Sequence, residues 1–148
     1  MKTIILTFSL FFMLSCNNND DSNFQATEIN FTEIGKGTLN GNGSENILQS
    51  NILINNQTDW QNLINQMDSY NNVSNSFTEI TIDFDSYSII AVFLEIKPTG
   101  WGVVITEIVE EVNSIVISKS ENESIALVIS QPFHIVKIPK TNKEIVVE

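Results

Sequence analysis

The chain has 148 residues, with 18 acidic side chains against seven lysines, no arginine, a formal net charge of −11 and a single cysteine. With its lysines scattered it has no basic stripe to follow a phosphate backbone and no charge attraction to an anionic lipid surface, which argues against nucleic-acid binding. Its length predicts one domain, large enough to fold without disulfides.

Met1 to Ser15 carries one charge, Lys2, and an apolar run from Ile4 to Leu14. That run is too short to span a bilayer and has the layout of a cleaved secretory signal over residues 1–15. Met13-Leu14-Ser15-Cys16 resembles the lipobox of bacterial lipoproteins, in which a small residue precedes a cysteine that is lipidated and becomes the new N-terminus. The resemblance implies a lipid on Cys16, which explains a lone cysteine in an exported chain better than a free thiol does. Removing the 15 residues before Cys16 from 148 leaves 133. Stable anchoring takes more than one acyl chain, at about 0.8 kcal/mol per buried methylene, and a lipidated bacterial cysteine normally supplies them. Residues 16–26, with the polar and acidic run Asn17 to Asn23, read as a flexible tether ahead of a single β-rich domain at 27–148. Asp20 and Asp21 suit export to the outer membrane, so the expected location is the periplasmic face or the cell surface, with the membrane as partner through the lipid on Cys16.

Phe24 to Leu39 predicts an opening strand broken by Gly35 and Gly37, with Ile29, Phe31 and Leu39 on one alternation parity. Asn40 to Ser44 reads as a turn, and Ile47 to Ile54 as a second strand able to pair with the first as a hairpin. Thr58 to Ser69 predicts the one helix, because Trp60, Leu63, Ile64 and Met67 fall on a single stripe. Asn56 or Thr58 can cap it, and Trp60 is expected to pack it onto a sheet. Asn71 to Ser76 is a polar loop, and Phe77 to Phe84 leads into the centre of the fold. Ile89 to Ile96 is apolar on both faces apart from Glu95, as expected of a strand covered on both sides. Lys97-Pro98-Thr99-Gly100 then predicts a tight hairpin turn, with Pro98 presetting φ and Gly100 taking a positive one.

Further apolar runs follow at Val103 to Val109, Val112 to Ile117, Ile125 to Ile129, Phe133 to Ile138 and Ile145 to Val147. Their short spacing predicts an antiparallel meander, and Pro132 and Pro139 suggest an edge or a sharp redirection at the strand they bracket. The fold class is therefore mainly β (α+β): an antiparallel sheet, sandwich or partly open barrel of about seven to eight strands with one packed amphipathic helix.

Candidate chemistry is sparse. Asp83 and Asp85 flank Phe84 on one strand face, but no glycine-bearing calcium loop follows, and solvated strand-end carboxylates are the plainer reading. His134 is the only histidine, and a strand histidine bonded to a backbone neighbour is the default. No phosphate loop, nucleophile elbow or zinc-ligand spacing is present, so neither metal nor cofactor is expected and enzyme function is not expected.

Asp83-Phe84 with the apolar strand after it, Lys97-Pro98-Thr99-Gly100, and Gln131-Pro132-Phe133-His134-Ile135-Val136-Lys137-Ile138-Pro139-Lys140 together resemble the C-terminal domain of the PrcB family, the protease-complex-stabilising lipoproteins. The resemblance covers Asp83 to about Val147. It departs from the family turn, which continues with a second glycine and then an aromatic, whereas Trp101 here precedes Gly102. The resemblance implies a non-catalytic lipoprotein whose relatives stabilise a surface protease complex. The expected interaction surface is Lys97, Pro98, Thr99, Gly100 and Trp101, since an aromatic on a rigid turn makes a good anchor; the other reading is that Trp101 folds back onto the sheet. The alternative is a small-ligand or cation binder, or a cryptic hydrolase, using Asp83, Asp85 and His134.

Overall fold

A computed structural model describes residues 24–148, so the expected signal segment, Cys16 and the expected tether as far as Asn23 lie outside the described residues. The centre of the fold is strand β4 (Tyr87–Phe93). Ile89, Ala91 and Phe93 point to one side of it and Ile90, Val92 and Leu94 to the other, and all six are buried. The first set packs beneath helix α1 (Gln57–Met67), and the second faces another sheet. The result is three layers, helix on sheet on sheet, with β4 in the middle layer.

That middle sheet has the order β2-β7-β4-β3, where β2 is Thr32–Asn40, β3 is Ser50–Ile54 and β7 is Ser130–Pro139. The outer sheet has the order β1-β5-β6-β8, with β1 at Thr27–Glu28, β5 at Trp101–Glu110, β6 at Ser114–Glu123 and β8 at Glu144–Val147. All pairings are antiparallel except β6 with β8, which is parallel, because the chain returns from β7 to the outer sheet before its last strand. The two sheets form an open sandwich, and the mainly β, one-helix expectation holds.

The connections differ from those expected. Ile89 to Ile96 and Val103 to Val109 do not form a hairpin: β4 and β5 lie in different sheets, and both edges of β4 are taken, by β3 and β7. Residues 94–100 are thus a crossover between layers, and Gly43, not Gly100, is the glycine with positive φ (71°) among the described residues. The opening strand and β3 are not a hairpin either, since they form opposite edges of the middle sheet. β2 runs through Gly35 and Gly37 with a bulge between Glu33 and Gly35, which puts Ile34 and Leu39 on the helix side although their parities differ. β7 is interior and not an edge, because it pairs with β2 on one side and with β4 on the other; Pro132 lies outside the β4 ladder and Pro139 at its end. Phe77 to Ser86 forms no strand, and Ile125 to Ile129 forms none.

Helix α1 starts at Asn56, whose side-chain oxygen accepts from the Asp59 N–H at 2.9 Å. Trp60, Leu63, Ile64 and Met67 are all buried, as their spacing predicts. Trp60 stacks on Phe77 at 6.0 Å and donates its indole N–H to the Ile80 carbonyl at 3.0 Å, so it tethers the irregular 77–86 segment as well as the helix.

Candidate functional site

Strands β2, β4 and β6 all end at one end of the sandwich, so three connections gather there: 41–49, 94–100 and 124–129. Gln131, itself buried, holds them in place. Its side-chain amide donates to the Ile47 carbonyl at 3.0 Å and the Leu94 carbonyl at 2.9 Å, from two of those connections, while Gln131 itself begins where the third ends. The backbone completes the lock. Lys97 and Ser130 exchange N–H···O bonds of 2.9 and 3.1 Å, the Gly100 N–H donates to the Ala126 carbonyl at 2.7 Å, and the Ser124 N–H donates to the Gly100 carbonyl at 2.6 Å. Gly100 and Gly41 are needed for this close approach: a Cβ on the first would collide with Ser124 Oγ, and one on the second with the Ile129 carbonyl.

Pinned in this way, the 124–129 connection turns its apolar side chains outward. Ile125 is fully exposed and Leu127 is 90% exposed, with Val128, Ile129 and, from the neighbouring connections, Leu48 and Ile96 also exposed. Large apolar side chains exposed on adjoining connections make this end a candidate interaction surface. The sequence missed this because an apolar run such as I-A-L-V-I reads the same whether it is a buried strand or an uncovered loop. No local signal separates the two; what separates them is the pairing of the whole chain, in which 124–129 connects β6 in one sheet to β7 in the other and joins neither sheet.

Of the sequence-predicted contact residues, Lys97, Thr99 and Trp101 form one linked set beside this loop. Trp101 is half-buried; its indole N–H donates to Thr99 Oγ1 at 3.0 Å, and the Thr99 hydroxyl donates to Glu123 at 2.7 Å. The Lys97 ammonium sits 4.8 Å from the Trp101 ring centroid and 2.9 Å from the Glu95 carboxylate, which raises its pKa. Trp101 therefore lies along the sandwich, where it edges a cleft of about 250 Å³ between Lys36–Thr38 and Trp101–Val104, and is not presented at a turn tip. Pro98 and Gly100 shape the crossover.

Asp83, Asp85 and His134 do not gather. Asp83 accepts from the Asp85 N–H at 3.1 Å and the Ser86 hydroxyl at 2.7 Å, and these bonds, Ser86 first, lower its pKa. They stabilise a turn ahead of β4. His134 pairs with Val92, five residues beyond Tyr87, or about 17 Å along the strand. It faces the outer sheet, where its Nδ1 accepts the Ile105 N–H at 2.8 Å and its Nε2 lies 3.2 Å from Glu33. The Ile105 N–H is free for this bond because β5 bulges between Ile105 and Glu107. Since Nδ1 accepts, Nε2 carries the proton and donates it to Glu33, so the ring is neutral; burial first of all lowers its pKa. Among the described residues no cluster of three or more histidine, cysteine, aspartate or glutamate side chains is placed to hold a metal. Comparison with protein-family models, curated proteins and solved structures finds no match for this chain.

Proposed function

We propose that this chain is a non-catalytic, lipid-anchored module of the cell envelope that captures another protein and helps to hold an envelope complex together. The observation that carries this reading is the rigid apolar end of the sandwich, built on Ile125, Leu127, Val128 and Ile129. It lies opposite the end where the N-terminal segment joins the body, through the pairing of Thr27 with Glu110. A lipid on Cys16 at one end leaves the apolar end free to meet a partner. The engagement of both His134 nitrogens inside the sandwich favours protein capture over a site shared with Asp83 and Asp85. The resemblance to PrcB-type lipoproteins supplies the class of assembly, a surface protease complex.

The test is crosslinking in intact cells, followed by purification, of the native chain and of Cys16→Ser. A protein recovered with the native chain and lost with Cys16→Ser supports the reading. Recovery of no protein with either form overturns it.

A further inference from the structure

We infer that the apolar end is received by a protein recess bordered by lysine or arginine side chains, and not by the anchoring bilayer or by a second copy of this chain. The inference rests on the interaction role proposed above and narrows the partner's chemistry.

Geometry speaks first. β5 runs from Trp101, beside the apolar loop, to Glu110, beside the tether, which is about 30 Å of extended strand. From Cys16 to Phe24 there are eight residue steps, and a fully extended chain of that length reaches about 29 Å. The apolar end sits squarely on the anchoring bilayer only if the domain inverts and the tether is drawn straight along the whole body, at the full cost of its conformational entropy. With a relaxed tether the apolar end faces away from that membrane.

Charge then selects among occupants on the far side. Glu95, Glu121 and Glu123 border the loop, and Lys97 beside them is already shared between Glu95 at 2.9 Å and Glu121 at 3.8 Å. The Lys119 ammonium also pairs with Glu121. A second copy brings the same carboxylates against these, and the chain's net charge of −11 opposes both self-association and approach to anionic lipid. A cationic rim around an apolar recess matches the surface on both counts. Because the loop is held by main-chain bonds before any partner arrives, little ordering entropy is lost on docking.

The experiment places a photoreactive benzoylphenylalanine at Leu127 in the full lipidated chain in intact cells, with the same probe at the exposed Val112, at the tether end, as control. The expected result is one discrete protein adduct from position 127 and none from 112, with lysine or arginine flanking an apolar segment in the crosslinked peptide. Glu95→Gln with Glu123→Gln keeps the acceptor oxygens used by Lys97 and Thr99 while removing both charges, and is expected to cut adduct yield about tenfold at an unchanged melting temperature. An adduct at the mass of two copies, a lipid adduct, or a yield indifferent to the charge change each overturns the inference. If position 127 gives no adduct while the native chain still recovers a partner by general crosslinking, the interaction role stands and this end is not its surface.

Discussion

At the residue scale, His134 and Gln131 are buried polar side chains, beside Glu45, Ser88 and Ser130, that tie separate elements together. His134 is 1% exposed and ties β7, β5 and β2 together through Ile105 and Glu33. Protonating its Nδ1 would set two N–H groups against each other, so the folded state resists the charge. The groups facing the ring are Glu33, whose pKa is lowered chiefly by its bond to Lys36, and Lys36 itself. With the folded pKa below the ordinary 6.5, the unfolded chain binds the extra proton first as pH falls. The His134 contribution is therefore complete above 6.5 and declines as pH drops from there toward the folded pKa. Melting temperature should fall over that window in the native chain, and His134→Gln should flatten the decline while lowering stability at neutral pH by about 1–3 kcal/mol. Gln131→Leu leaves the Ile47 and Leu94 carbonyls without their amide partner and should cost about 2 kcal/mol. Chemical denaturation measures that loss, and faster amide exchange at Gly100 and Ser124 would show the three connections loosening together.

At the scale of elements, α1 and β4 are where local pattern and tertiary role agree most closely. The helix has a side-chain cap at Asn56, an acid in its first turn at Asp59 and one buried stripe, so each local signal points the same way. Asn56→Ala should destabilise by about 1 kcal/mol through loss of the cap. Trp60→Ala should cost about 3–5 kcal/mol, because it removes the stack on Phe77 and the bond to Ile80 and leaves a cavity under the helix. Trp60→Phe keeps most of the packing and should lose about 1 kcal/mol with the indole N–H. Compared by denaturant unfolding, Trp60→Ala should lose the most, and Trp60→Phe and Asn56→Ala less and about equally; equal losses for the two Trp60 variants would show that the indole bond, and not the cavity, dominates. Strand β4 illustrates the limit of pattern. Apolar residues on both its faces correctly place it between two layers, yet say nothing about whether the next strand pairs beside it or crosses over it.

At the scale of the molecule, the strand that leads in from the N-terminal segment and the exposed apolar loop lie at opposite ends of the sandwich, which is what the proposed division between anchor and contact surface rests on. Leu127→Ser changes only an exposed side chain and should leave stability within about 0.5 kcal/mol, whereas Trp101→Ala removes a half-buried ring under Lys97 and should cost about 1–2 kcal/mol. Both should weaken partner capture; if only Trp101→Ala does so, the contact surface is the cleft beside β2 and not the apolar loop. The two-sided strand, though it ends at Phe93 and leaves Ile96 exposed, the Trp60 stripe, the helix cap and the default role of His134 were legible in the sequence, because side-chain periodicity and capping chemistry are local and report directly which faces must be covered. The pairing of β2 with β7, the interior position of β7 despite two prolines, the crossover at Lys97 to Gly100 and the parallel β8 were not. Strand pairing depends on which edges remain free once all other strands are placed, a property of the whole chain. The apolar loop belongs with these: its residues were plain to read, but that nothing in the fold covers Ile125 to Ile129 follows only from where both sheets end.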